Sequence, residues 1–355
     1  MTREMGAISL GLISLLALPR AGAEQPTKTR ADRVNPWGLC RSDVWKGLRS
    51  SESGTARSSE SFHFLGPRLP ETPGLATHQS GEAAIAGLSE PSKAWDCFRG
   101  EVHAEPSRIG DFLIQFDSVP DKKDPQYALC RVQVFSPRGP VFQATERAMS
   151  IDAISGKDIN GDGQPEAVFE GFSGGAHCCW THWIVSLGHQ TGLLKELTNQ
   201  TAIGFRETTD GHVDLWAGDG AFDYFDCLSH AETVFPTVFL RLQGRELKDV
   251  GSEHWDYYAN QIAEARRRIT AEELRQFRDS KNQDETCEGN PRATMPKVLA
   301  IVFADLCGGR EQEGWKALDE MWPPDDKERI RKLILQKRAE GILRYTRPLA
   351  SRRKQ

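Results

Sequence analysis

Short apolar runs, several with a period of two, occupy positions 112–116, 127–135, 167–172, 179–187 and 234–242, with Gly, Asp, Asn and Pro filling the gaps. Such runs, bounded by turn residues, predict β-strands. The stretch 242–247 reads as a tight hairpin, in which Gly244 can take positive φ. After residue 250 the period becomes helical. Thr270 and Glu273 form a capping-box pattern, and Thr294 is placed to cap a helix whose body, 298–304, is apolar on every side and therefore buried. Gly308 and Gly309 end that helix. Trp315, Leu318 and Trp322 recur at helical spacing before Pro323 and Pro324 stop the next one, and Asp325 can cap a third running to about Tyr345. The fold class expected is α+β: a β-rich, blade- or sandwich-like domain over 93–252, then a small helical domain over 253–348.

The residues before this pattern are of another kind. Arg3, the apolar run 6–18, and Ala21-Gly22-Ala23 after Pro19-Arg20 have the layout of a secretory signal peptide over 1–23. The run is too short to span a bilayer, which needs about 20 apolar residues, so no transmembrane anchor is expected after cleavage. Residues 24–92 are rich in Ser, Pro, Gly and charge and read as a flexible low-complexity leader. A basic tail, 349–355, closes the chain.

Composition narrows the classes. Across 355 residues, 45 Lys+Arg face 50 Asp+Glu for a net charge of -5, which gives no reason to expect a nucleic-acid partner. A mean hydropathy of -0.52 excludes a polytopic membrane protein. All eight cysteines follow the expected cleavage point. In a secreted or periplasmic protein they should pair. Cys287–Cys307 is one expected bond, and Cys178 or Cys179 with Cys227 another.

The stretch 158–166, Asp-Ile-Asn-Gly-Asp-Gly-Gln-Pro-Glu, carries the chemistry. Asp158, Asn160 and Asp162 alternate, Glu166 follows, and Gly161 and Gly163 let the backbone curl so that these side chains converge. A hard cation such as Ca²⁺ takes six to eight oxygens at about 2.3–2.6 Å. An EF-hand is excluded, because its twelfth loop position needs a bidentate Glu and here holds Phe169. The loop resembles that of the FG-GAP/VCBS repeat of integrin-α-type propellers, D-x-[DN]-x-D-G-x-x-D before an apolar strand. The resemblance implies a structural Ca²⁺ held by Asp158, Asn160, Asp162, Gln164 and Glu166, with Glu replacing the usual final Asp. It spans only some 15 to 25 residues. The sequence 210–214 echoes the loop, but Arg206 and Thr208 stand at the earlier ligand positions, so this copy should be a metal-free hairpin.

Directly after the loop, 172–180 (Phe-Ser-Gly-Gly-Ala-His-Cys-Cys-Trp) is similar to a group of largely uncharacterised secreted bacterial proteins. A Cys thiolate activated by His177 would be a nucleophile, although in an oxidising compartment a disulfide is the commoner fate. Zinc on His177, Cys178 and His182 lacks the usual spacing. The acids and aromatics of 219–227 could line a groove. Two functions are compatible with these features. One is an exported calcium-stabilised binding or structural module, with a protein or glycan as partner and no assigned catalysis. The other is a secreted hydrolase, with carbohydrate as a candidate substrate, using acids such as Asp219 and Asp223 with His177 or His182.

Overall fold

The computed structural model describes residues 95–175 and 179–347. The expected signal peptide, leader and basic tail lie outside these residues, as do His177 and Cys178. All that follows concerns the described residues, which fall within one compact unit.

Three antiparallel sheets are built from fourteen strands among the described residues. The largest combines β1 (Cys97–Phe98), β2 (Glu101–Val102), β7 (Ala148–Ile151), β8 (Glu166–Phe172), β9 (Trp180–Ser186) and β10 (Gly192–Asn199), in the order β10-β9-β8-β7-β1-β2. The second is the meander of β3 (Ser107–Ile109), β4 (Phe112–Pro120), β5 (Ala128–Ser136) and β6 (Gly139–Glu146). The third is the meander of β11 (Gly204–Glu207), β12 (Val213–Gly218), β13 (Thr237–Gln243) and β14 (Glu246–Asp249).

Strand alternation explains how they stack. On β8 and β9, Ala167, Phe169, Trp183 and Val185 enter one core with Val132 and Val134 of β5, while Val168 and Ile184 enter another with Leu215, Leu240 and Leu247 of the third sheet. Successive side chains on a strand point to opposite faces, so the six-stranded sheet is the middle layer. Cys97–Cys130 links it to the second sheet.

Helices follow: α1 (Trp255–Arg267), α2 (Ala271–Arg278), α3 (Gln283–Thr286), α4 (Gly289–Cys307), α5 (Glu311–Met321) and α6 (Lys327–Glu340), then a 3-10 turn, Ile342–Thr346. The Thr270–Glu273 capping box forms at α2. As its composition requires, α4 is buried along 298–304. It begins earlier than the sequence suggests, with Glu288 at its N-cap. Thr294 is therefore not a cap. Its hydroxyl donates back to Asn290 O (3.0 Å) within the helix, as a threonine can do in mid-helix. At α6 the N-cap is Asp326 rather than Asp325. Asp326 is held in place by Trp322 Nε1 (3.0 Å) and Arg329 Nε (2.6 Å). That helix stops at Glu340, before Gly341.

The boundary at 252 separates sheets from helices, yet the cores run across it. Tyr258, Ala304, Cys307 and Ile342 pack with the third sheet, and Phe222, Phe225 and Leu228 pack with the helices. The 3-10 turn also returns to the middle sheet: Thr198 N–H of edge strand β10 donates to Tyr345 Oη (2.9 Å), and Arg344 Nη2 donates to Thr198 O (2.9 Å).

The disulfides correct two expectations. Cys287 pairs with Cys227, so neither Cys287–Cys307 nor a bond from Cys178 or Cys179 to Cys227 forms. The nineteen-residue helix α4, which ends at Cys307 itself, carries Cys307 away from Cys287. At 1.5 Å per residue that is roughly 28 Å, against a bridgeable Cα separation of about 4.4–6.8 Å. Cys307 is a buried free thiol, and burial pushes it up to about 12. Cys179 is also disulfide-bonded.

Candidate functional site

The main chain closes the loop between β7 and β8. Glu166 N–H donates to Lys157 O (2.9 Å) and Gly156 N–H to Glu166 O (2.8 Å). Inside, Asp158 organises the turn: Oδ1 accepts the N–H groups of Gly161 (2.8 Å) and Asp162 (3.1 Å), and Oδ2 that of Gly163 (2.8 Å). To point those N–H groups inward, the chain turns left-handed at Gly161 (φ 77°) and Gly163 (φ 81°), where a Cβ would cost roughly 1–2 kcal/mol. Asn160 Oδ1 accepts from Asp162 N–H (2.9 Å), Asp162 Oδ1 from Gln164 N–H (2.9 Å), and Asn160 Nδ2 donates to Asp162 Oδ2 (3.0 Å). The loop is anchored at two points. Ile159 is buried in the core beside Val168, and Asn160 O accepts the N–H of Gly244 (2.7 Å), the positive-φ glycine that turns the β13–β14 hairpin.

Glu166 lies beneath this turn with no solvent exposure. Its Oε2 accepts from Ile159 N–H (2.7 Å) and Asn160 N–H (3.4 Å), whereas Oε1 is buried without any partner. Burial pushes the carboxyl up to about 7, and the charges of Asp162 and Asp158 add to the rise against the two N–H donors. An orphaned carboxylate oxygen away from water is costly unless a cation or donor meets it. That orphan, set among donors that are all oxygen, fits a hard cation. Asp158, Asp162 and Glu166 do not, however, bring one oxygen each to within 4.8 Å of one another. Among the described residues the group that meets this distance is Asp226, Cys227 and Cys287, whose two sulfurs are bonded to each other and offer no thiolate.

The echo at 210–214 is a hairpin turn between β11 and β12, closed by Thr208 N–H to His212 O (2.7 Å). Asp214 is spent on a buried network, with Arg241 Nε at 2.6 Å and His254 Nε2 at 2.8 Å. Hydrogen bonds from His254 and Arg241 hold its carboxyl low, outweighing a desolvation that acts the other way.

Of the acid and histidine candidates, Asp219 is buried and structural, accepting from Ala221 N–H (3.1 Å) and Ile342 N–H (3.1 Å). Asp223, also buried, pairs through Oδ1 with His230 Nδ1 (2.8 Å). His182 is fully buried in β9: Nε2 accepts from Ile203 N–H (3.4 Å) and sits 3.8 Å from Glu170 Oε2, while Nδ1 has no partner. Ser150, Glu170 and His182 stand side by side across β7, β8 and β9, and Ser150 Oγ is likewise buried and unpartnered. Sequence reasoning missed Ser150, Glu170 and His230 because only strand register and loop closure bring them to their partners. Alternation along β8 and β9 could have marked Glu170 and His182 as inward-facing, but not as neighbours.

No protein-family model, no curated protein and no solved structure matches the chain. Among the described residues, no helix is long and apolar enough to cross a membrane.

Proposed function

We propose that the chain is an exported binding or structural module of the cell envelope or exterior, in which Ca²⁺ on the 158–166 loop fixes the β7–β8 connection to the β13–β14 hairpin. The observation that carries this reading is the buried, unpartnered Oε1 of Glu166 under a loop with two further carboxylates. The likeness to FG-GAP/VCBS loops supports it, and so do the disulfides Cys97–Cys130 and Cys227–Cys287, which suit an oxidising compartment. Asp158, Asn160, Asp162, Gln164 and Glu166 would hold the ion. Bound, it supplies positive charge that offsets carboxylate repulsion. Calorimetric melting with excess Ca²⁺ and with EDTA tests this. Ligand at about 100 times its Kd adds about 2.7 kcal/mol, a rise of roughly 5–10 °C for a domain of this size. An unchanged midpoint would sink the reading.

A second reading, a secreted hydrolase, draws support from the Asp223–His230 pair (2.8 Å) on a segment where Tyr224 (φ 51°) and Asp226 (φ 54°) hold positive φ. Backbone strain of this kind collects at functional sites. Turnover of an ester or glycoside panel that is lost in Asp223→Asn would favour it, and an inactive wild type would remove it.

A further inference from the structure

Asn160-Gly161 is the single Asn-Gly pair in the chain. That dipeptide carries a chemistry of its own, because glycine has no Cβ to hinder its nitrogen from reaching the preceding side chain. Having lost its proton, Gly161 N can attack Asn160 Cγ. The new N–Cγ bond closes a cyclic imide, the Cγ–Nδ2 bond breaks, and Nδ2 leaves as ammonia with the proton that Gly161 gave up. Water, the one co-reactant, then opens the imide at either carbonyl. One product is aspartate. The other is isoaspartate, whose main chain runs through the former side-chain carbon.

In the folded loop each group this reaction needs is held elsewhere. The nucleophile's N–H donates to Asp158 Oδ1 (2.8 Å). The amide under attack is fixed at both ends: Asn160 Oδ1 accepts Asp162 N–H (2.9 Å), and Nδ2 donates to Asp162 Oδ2 (3.0 Å). The peptide groups on either side are tied as well, Asn160 N–H to Glu166 Oε2 (3.4 Å) and Asn160 O to Gly244 N–H (2.7 Å). Only 4% of the residue's surface is exposed, which keeps away the water that must open the imide.

We propose that Asn160 is a deamidation site that Asp158 and Asp162 hold shut, so that the chain changes there only when the loop opens. Asp158 keeps the proton on Gly161 N, and the Asp162 pairing keeps Asn160 Cγ from swinging towards it. The change does not reverse. Aspartate at 160 sets a carboxylate where Nδ2 now meets Asp162 Oδ2, and isoaspartate turns the carbonyl that meets Gly244 into a free carboxylate. Either product adds negative charge beside Asp158, Asp162 and Glu166. The site lies in the candidate calcium loop, but its chemistry does not rest on the calcium reading.

Incubation of the full chain with EDTA in warm, mildly alkaline buffer tests this, with one sample folded and one in urea. The tryptic peptide that begins at Asp158 is separated into amide, aspartate and isoaspartate forms and weighed. Reaction at Asn160 should be at least about tenfold slower in the folded chain, where it waits on local opening. Asp158→Ala, shown to be folded by its own urea transition, should react several-fold faster than folded wild type, because it releases Gly161 N–H. If that variant does not fold, Asp162→Ala, which releases Asn160 Nδ2, takes its place, and if neither folds the wild-type comparison decides alone. Equal rates in the folded and unfolded wild type, a folded variant at the wild-type rate, or an Asn160 that stays intact in urea overturns the proposal. The calcium reading is tested separately, by its melting shift, so the failure of one leaves the other standing.

Discussion

Asp219 Oδ1 accepts the backbone N–H of Ile342 at 3.1 Å across 123 positions of sequence. This bond ties the end of β12 to the 3-10 turn Ile342–Thr346, and the carboxylate making it is buried. Burial pushes that carboxyl up to about 6 from its ordinary 3.8, against the opposing effect of two N–H donors. The folded protein therefore binds this proton more tightly than the unfolded chain does. The resulting stabilisation is complete below pH 3.8 and is lost as pH rises through 6. Two units correspond to about 3 kcal/mol. Asp219→Asn should lack this dependence, so its urea stability relative to wild type should climb by about that much between pH 4 and 7. A constant difference across that range would show that Asp219 titrates normally.

Gly341 has φ -73°, a conformation open to any residue, yet a Cβ there would overlap both carboxylate oxygens of Asp219. Gly341→Ala should therefore destabilise through contact alone, by about 1–3 kcal/mol. Equilibrium urea unfolding measures it, and a neutral result would mean that the 341–346 turn can move away from β12.

At the candidate calcium loop, Glu166→Gln keeps the acceptor for Ile159 N–H and removes a buried charge with an unpartnered oxygen. Without metal the variant should melt no lower than wild type, while its response to Ca²⁺ should disappear. Asp162→Ala should lose the response and also the bond to Gln164 N–H, melting lower in both conditions. A full Ca²⁺ shift in Glu166→Gln would remove Glu166 from the ligand set.

The Cys227–Cys287 bridge closes a span of 60 residues between the 219–227 segment and α3. Loop-closure entropy gives it about 4 kcal/mol, so Cys287→Ser should lower stability by 2–5 kcal/mol. Cys307→Ala should leave the bridge intact, and thiol titration of denatured, unreduced protein should lose one equivalent in that variant. Loss of no thiol would mean that Cys307 is oxidised in solution.

Legibility in the sequence followed the range of the interactions. The capping box at Thr270, the hairpin glycine at 244 and the buried body of α4 rest on contacts a few residues apart, and each was readable. Six strands, β1, β2, β3, β6, β7 and β10, fell outside every predicted run and hairpin. Among them β1 and β2 are two residues long, and β10 alternates imperfectly around a bulge between Leu193 and Lys195. Thr294 misled because a capping residue inside a helix can bond back one turn instead. The disulfide partner of Cys287 was unreadable because proximity came from packing of the 219–227 segment on the helices, at long range. In the candidate loop, the order of residues showed which side chains belong to the turn, but not that the carboxylates of Asp158, Asp162 and Glu166 would fail to come within 4.8 Å of one another. It could not show that Glu166 would be sealed beneath it with one oxygen unmet.

Strand β10 borders the middle sheet, and its outer ladder is where another extended chain could add itself. Arg344 and Tyr345 take up both polar backbone groups of Thr198, and Arg245 Nη2 donates to Leu193 O (3.0 Å) further along. An unguarded border of this kind recruits copies of the same molecule. A chain cut after Glu340 should accordingly self-associate, which sedimentation at rising concentration would show, so the 342–346 turn sets how concentrated this protein can become before it sticks to itself.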